Sequence, residues 1–216
     1  QDLNGIVWSG GQFVVVGSGG AILTSPNGAT WTPQSSGTPQ PLYGIAWSGS
    51  QFVAVGSGGT ILTSATGTTW TPQSIGTTQP LYSIAWSGSE FVAVGGAGTI
   101  LASPNGLTWN PRSSGTPQDL RGIAWSGSQF LTVGSGGAAF SSPDSNAWTA
   151  QTSGTSQDLY GVIWAGSLFI AVGDHDTILP ITVQSTSAKV LDSNVWTAIA
   201  LPVTPTAPGT VQGVLG

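Results

Sequence analysis

The residues able to do chemistry in this chain are few and sit at a handful of positions. The one histidine falls in Asp174-His175-Asp176, which also holds two of the eight acids. Imidazole and carboxylate are the groups that ligate transition metals and relay protons near neutral pH. Against that, three adjacent residues rarely converge on one ion, and an exposed turn between strands accepts Asp equally well. A second set is Asn4, Tyr43, Tyr82, Arg121 and Tyr160, which recurs every 39 residues. Tyrosine rings can stack on sugar faces while their hydroxyls hydrogen-bond, so this set is the candidate ligand-binding row; its other reading is packing at sheet edges. A third series, Gln12, Gln51, Glu90, Gln129 and Leu168, reads as solvated turn surface.

Catalysis finds little support in these residues. A single histidine flanked by turn residues shows no partner serine for a nucleophilic triad. Asp119 and Asp158 occupy equivalent places one repeat apart, so they do not read as the facing carboxylates of a glycosidase. With Asp2 they stand before a leucine where Pro41 and Pro80 stand in the other copies, which reads as punctuation at strand starts. The expectation is a protein that is not an enzyme, uses no cofactor, and has no metal site beyond the weak candidate at 174–176.

Constant spacing of this kind implies a repeating scaffold. Trp8, Trp47, Trp86, Trp125 and Trp164 step by 39 residues, as do Phe13, Phe52, Phe91, Phe130 and Phe169. A second tryptophan series, Trp31, Trp70, Trp109 and Trp148, keeps the step, but the next interval, to Trp196, is 48, so the fifth copy carries nine extra residues. A period near 40 marks a repeat architecture. Within one copy, residues 43–47, 52–55, 60–63 and 69–71 are short, β-prone and bounded by Gly and Ser, and no window shows the 3.6-residue apolar period of a helix. Four short strands per unit describe a propeller blade. In Phe52-Val53-Ala54-Val55 both faces are apolar and both need a cover, which a neighbouring blade on each side supplies.

The predicted fold is therefore all-β: a five-bladed β-propeller over residues 1–200, with copies at 1–40, 41–80, 81–119, 120–158 and 159–200. Residues 201–216 form a proline-rich spacer and a spare strand. That last stretch, GTVQGVLG, matches GTPQPLYG at 37–44 and so opens a sixth copy. Val211, Gln212, Val214 and Leu215 are the candidate assembly tail, able to add a strand to a neighbour's exposed edge or to close the chain's own ring.

Composition narrows the setting. Charged residues make up 5% of the 216, with eight acids against three bases, so a basic nucleic-acid footprint is excluded. There is no cysteine, hence no disulfide or thiol chemistry, and no apolar run long enough for a membrane-spanning helix. The first residue, Gln1, suggests a processed terminus, and a Ser/Thr/Gln/Gly surface suits a secreted or cell-surface protein.

The turns SPNGATW (25–31), SATGTTW (64–70), SPNGLTW (103–109) and SPDSNAW (142–148) resemble a contracted Asp-box, the Ser-x-Asp-Gly-x-Thr-Trp turn of BNR-repeat propellers. With the FVAVGxxGxIL segment, they make the chain similar to bacterial propellers related to the photosystem II stability and assembly factor. The resemblance implies a structural turn between the third and fourth strands, with the acid position falling on Asn27, Thr66, Asn105 and Asp144. It also argues against sialidase chemistry, which in that wider group needs three arginines; this chain has Arg112 and Arg121 alone, and one glutamate, Glu90. The arginine-rich binding surface of the assembly factor is missing too. Two functions of different kinds follow as expectations: a structural or adhesive extracellular protein that self-associates, as an oligomer or filament, through its tail, or a glycan-binding lectin with sites repeated around the ring.

Overall fold

The computed structural model describes residues 2–183; the chain divides into a compact unit of residues 1–184 and a second unit, 185–216. The compact unit is a five-bladed β-propeller. Blade 1 is an antiparallel meander of Leu3–Trp8, Phe13–Gly17, Ile22–Ser25 and Thr32–Gln34, paired in sequence order. Blades 2, 3 and 4 repeat it, with first strands Leu42–Trp47, Leu81–Trp86 and Leu120–Trp125. Blade 5 has three described strands, Leu159–Trp164, Phe169–Gly173 and Ile178–Ile181. Its expected fourth strand, at Trp196, lies outside the described residues, as do the rest of 184–200 and the tail residues Val211, Gln212, Val214 and Leu215.

The fourth strands begin later than the sequence suggested: Thr71–Gln73 rather than 69–71. The Asp-box turn is the reason. Ser64 Oγ accepts the amide of Gly67, and the Trp70 indole N–H donates 2.9 Å to the Gly67 carbonyl, so residues 64–70 are held as a turn and pairing starts only after the tryptophan. Proline at position 72 is tolerated because this strand is an edge.

The core consists of four inter-blade clusters. In each, the second and third strands of one blade press Val or Ile onto Leu, Ile, Phe and Trp of the next. Val14, Val16 and Ile22 of blade 1 meet Leu42, Ile45, Phe52 and Trp70 of blade 2. The same set recurs between blades 2 and 3 and between 3 and 4, and between 4 and 5 Leu131, Val133 and Ala139 meet Leu159, Val162 and Phe169 at the equivalent places. Each blade thus has a leading face (Leu, Ile or Val, Phe, Trp) and a trailing face of aliphatic side chains, mostly Val and Ile, and stability comes from stacking one on the other.

A ring in which blade 5 covers blade 1 is what the repeat alone implies, and here the structure departs from it. Leu3 is 57% exposed, whereas Leu42, Leu81, Leu120 and Leu159 are at 0%. On blade 5, Val172 is 45% exposed, while Val16, Val55, Val94 and Val133 are at 0%. The leading face of the first blade and the trailing face of the fifth are bare among the described residues.

Candidate functional site

The five positions predicted to form a row do come together. Each is the second residue of a first strand, and first strands of successive blades pack side by side. The Asn4 amide donates 2.9 Å to the Leu42 carbonyl, tying blade 1 to blade 2. The Tyr43 and Tyr82 rings lie 5.9 Å apart. The Arg121 guanidinium then sits between two rings, 5.7 Å from that of Tyr82 and 5.4 Å from that of Tyr160.

Carboxylates surround this arginine. Its Nη2 is 3.7 Å from Asp119 and 3.6 Å from Asp158, and its Nε donates 3.2 Å to Ser135 Oγ. Asp119 Oδ1 also accepts the backbone N–H of Ala97, and Asp158 Oδ1 that of Gly136, each 22 residues back in the preceding blade. The sequence reading of these aspartates as punctuation is therefore too weak: they are cross-blade ties. The signal was their placement beside the row, but the partner amides follow only from the fold. Gln12 is likewise more than solvated surface, since its side-chain N–H donates to the Thr66 carbonyl in the Asp-box turn of the next blade.

Two of the three tyrosine hydroxyls are committed as well. Tyr82 donates 3.5 Å to Asp119, and Tyr160 donates 2.8 Å to Asp174 Oδ1. Burial, then the neighbouring Asp119 charge, raise the Tyr82 pKa above its ordinary value, outweighing the opposing Arg121. The hydrogen bond to Asp174 is the first cause raising that of Tyr160. The row is thus an aromatic and cationic strip in which Tyr160 is 47% exposed while Tyr43 and Tyr82 are half-buried against their neighbours.

Asp174 is drawn into this row, while His175 and Asp176 are exposed and stand apart from it. No group of three His, Cys, Asp or Glu side chains able to hold a metal occurs among the described residues. The segment is instead conformationally unusual. His175 (φ 53°) and Asp176 (φ 56°) take the left-handed positions that Gly58 and Gly59 fill in blade 2.

No family profile and no curated protein matches this sequence. Solved structures do match in fold. A structure of YCF48 bound to D1 peptide shares 14% identity with a TM-score of 0.62, covering 83% of this chain and 66% of that one. YCF48 from Cyanidioschyzon merolae shares 17% with a TM-score of 0.61, over 79% and 63%. The fold is a β-propeller similar to the YCF48 propellers. A nidogen/laminin complex gives 14% identity and a TM-score of 0.65, over 79% and 72%. At these identities the likeness concerns the fold, and the chain spans about two thirds of the YCF48 chains.

Proposed function

We propose that this chain is a non-catalytic structural propeller, secreted or displayed on a surface, that works by self-association. The observation supporting this reading is the pair of bare apolar faces at the two ends of the blade series, with Ile6 60% and Ile163 62% exposed. Large apolar side chains grouped on one face are a binding surface rather than ordinary solvent-facing residues. The very low charge favours like-on-like contact, because little long-range repulsion opposes it. In this reading the tail at Val211, Gln212, Val214 and Leu215 adds a further contact between copies. Electron microscopy of the purified chain tests the proposal: it predicts particles larger than one molecule. Deletion of residues 206–216 then measures the tail's share. A folded monomer makes the tail necessary; unchanged particles reject its role and leave the blade faces as the contact.

The row supports a second reading, ligand binding. An aromatic row with Tyr160 exposed and Tyr43 and Tyr82 half-buried suits a glycan or an extended peptide, and the similar YCF48 structure is one bound to a peptide. Glycan and peptide arrays probed with the intact chain and with a Tyr43→Ala, Tyr82→Ala, Tyr160→Ala variant separate the readings. Absence of binding by the intact chain removes this one.

A further inference from the structure

Among the described residues, the two bare faces are apolar like the two faces that meet at each interior blade interface. Inside the chain, a trailing face meets a leading face four times. The closure is tight each time: Ile45, Ile84, Ile123 and Val162 of the leading faces are 7–8% exposed, and Ile22, Ile61 and Ile100 of the trailing faces are at 1%. The leading face left over is on blade 1, where Ile6 is 60% exposed and a shallow apolar depression is lined by Leu3, Asn4, Gly5, Ile6, Val15 and Trp31. The trailing face left over is on blade 5, where Val172 is 45% and Ile178 74% exposed. Their residue types are those of the interior faces: Leu, Ile, Phe and Trp on one, Ile, Val and Ile on the other.

A second observation bears on whether the chain's own continuation takes the blade 5 face by the repeat's usual route. In blades 1 to 4 the linker leaving the fourth strand lies on a glycine. A Cβ at Gly20, Gly59, Gly98 or Gly137 would come within 1.9–2.2 Å of the carbonyl oxygen of Thr38, Thr77, Thr116 or Thr155. Only glycine permits that approach. Blade 5 has Asp176 at this place. A linker on the course seen in blades 1 to 4 would meet that side chain.

We infer that the occupant of each bare face is a second copy of this chain, docked head to tail, with the trailing face of blade 5 on the leading face of blade 1 of the next molecule. The contact is heterologous: each copy uses different surfaces towards its two neighbours, so association propagates until a ring closes or a filament grows. It rests on the self-association proposed above and adds partner, surface and direction.

Polarity gives a test that loss of assembly alone would not. Ile6→Lys blocks the leading face and Val172→Lys the trailing face; both residues are solvent-exposed, so each variant should keep the wild-type circular dichroism spectrum. Leu3→Lys and Ile178→Lys are the substitutes should either fail to fold. By sedimentation velocity, the wild type assembles, each variant alone is monomeric, and a 1:1 mixture forms a dimer and nothing larger, because one intact face of each kind remains. If the wild type assembles but the variants assemble equally well, the inference falls and self-association through another surface stands. If the wild type is monomeric, or becomes oligomeric only when residues 206–216 are removed, both the inference and the reading under it are overturned.

Discussion

Ile6 and Ile45 occupy the same place in successive copies of the repeat, yet Ile6 is 60% exposed and Ile45 8%. The residue type and the strand are the same, and only the neighbour differs. Blade 1 supplies Val14, Val16 and Ile22 to cover Ile45, and no described residue does so for Ile6. Burial here is a property of position in the series rather than of local sequence.

That contrast sets the first prediction. Leu42→Ala removes a fully buried side chain from the cluster between blades 1 and 2 and should cost about 2–5 kcal/mol. Leu3→Ala, the same change at the bare face, should cost less than about 0.5 kcal/mol in dilute solution. Urea denaturation of both variants at low protein concentration checks the pair; equal costs would mean that Leu3 is covered.

Ser145 stands where Gly28 and Gly106 stand in other blades, at φ 61°, with its hydroxyl oxygen buried and unpartnered. Ser145→Gly relieves the left-handed strain and removes the orphan hydroxyl, and should stabilise by about 1 kcal/mol. In a domain of this size that raises Tm by roughly 2–4 °C, readable by calorimetry. A lower Tm would contradict it.

Arg121 ties blades 3, 4 and 5 through Tyr82, Tyr160, Asp119 and Asp158. Its side chain is 30% exposed, so the ion pairs are largely screened and the ring contacts matter as much. Arg121→Ala should lower stability by about 1–2 kcal/mol, and Arg121→Lys should recover only part, because an ammonium neither stacks as a plane nor offers a second nitrogen to Ser135 while facing the carboxylates. Denaturant midpoints at low and high salt test this; the difference between wild type and Arg121→Ala should shrink as salt rises.

Titration should act at the two ends of the pH scale. Backbone hydrogen bonding from Asn146 holds the Asp144 carboxyl below its ordinary 3.8, so its contribution is present above that value and is lost as pH falls through the lower folded value. Tyr82 and Tyr160 are raised above 10.0, so the unfolded chain ionises first and their contribution is lost as pH rises past 10. Across roughly pH 5–9 these three groups contribute a constant amount. A Tm profile against pH, with Asp144→Asn and Tyr82→Phe alongside, shows whether the two edges belong to these residues.

Much of the fold could be read from spacing. The 39-residue step of Trp47 and Phe52 placed the blades, and the likeness of residues 64–70 to an Asp-box placed the turn, while the fourth strand was set two residues early. The tyrosine and arginine row was legible for the same reason, since one residue per repeat at one register falls on one line. The cross-blade work of Asp119, Asp158 and Gln12 was not, because their partners lie 22 or 54 residues away and are fixed only once blades stack. The bare faces were illegible for a further reason. A repeat specifies how a copy meets its neighbour, and Leu3 carries the same instruction as Leu42 with no described neighbour to execute it.

The most direct measurement of the central claim is the sedimentation-velocity profile of the intact wild-type chain over a wide concentration range. The account predicts species heavier than the 21.7 kDa chain that grow with concentration. A single species of that mass at every concentration would contradict it.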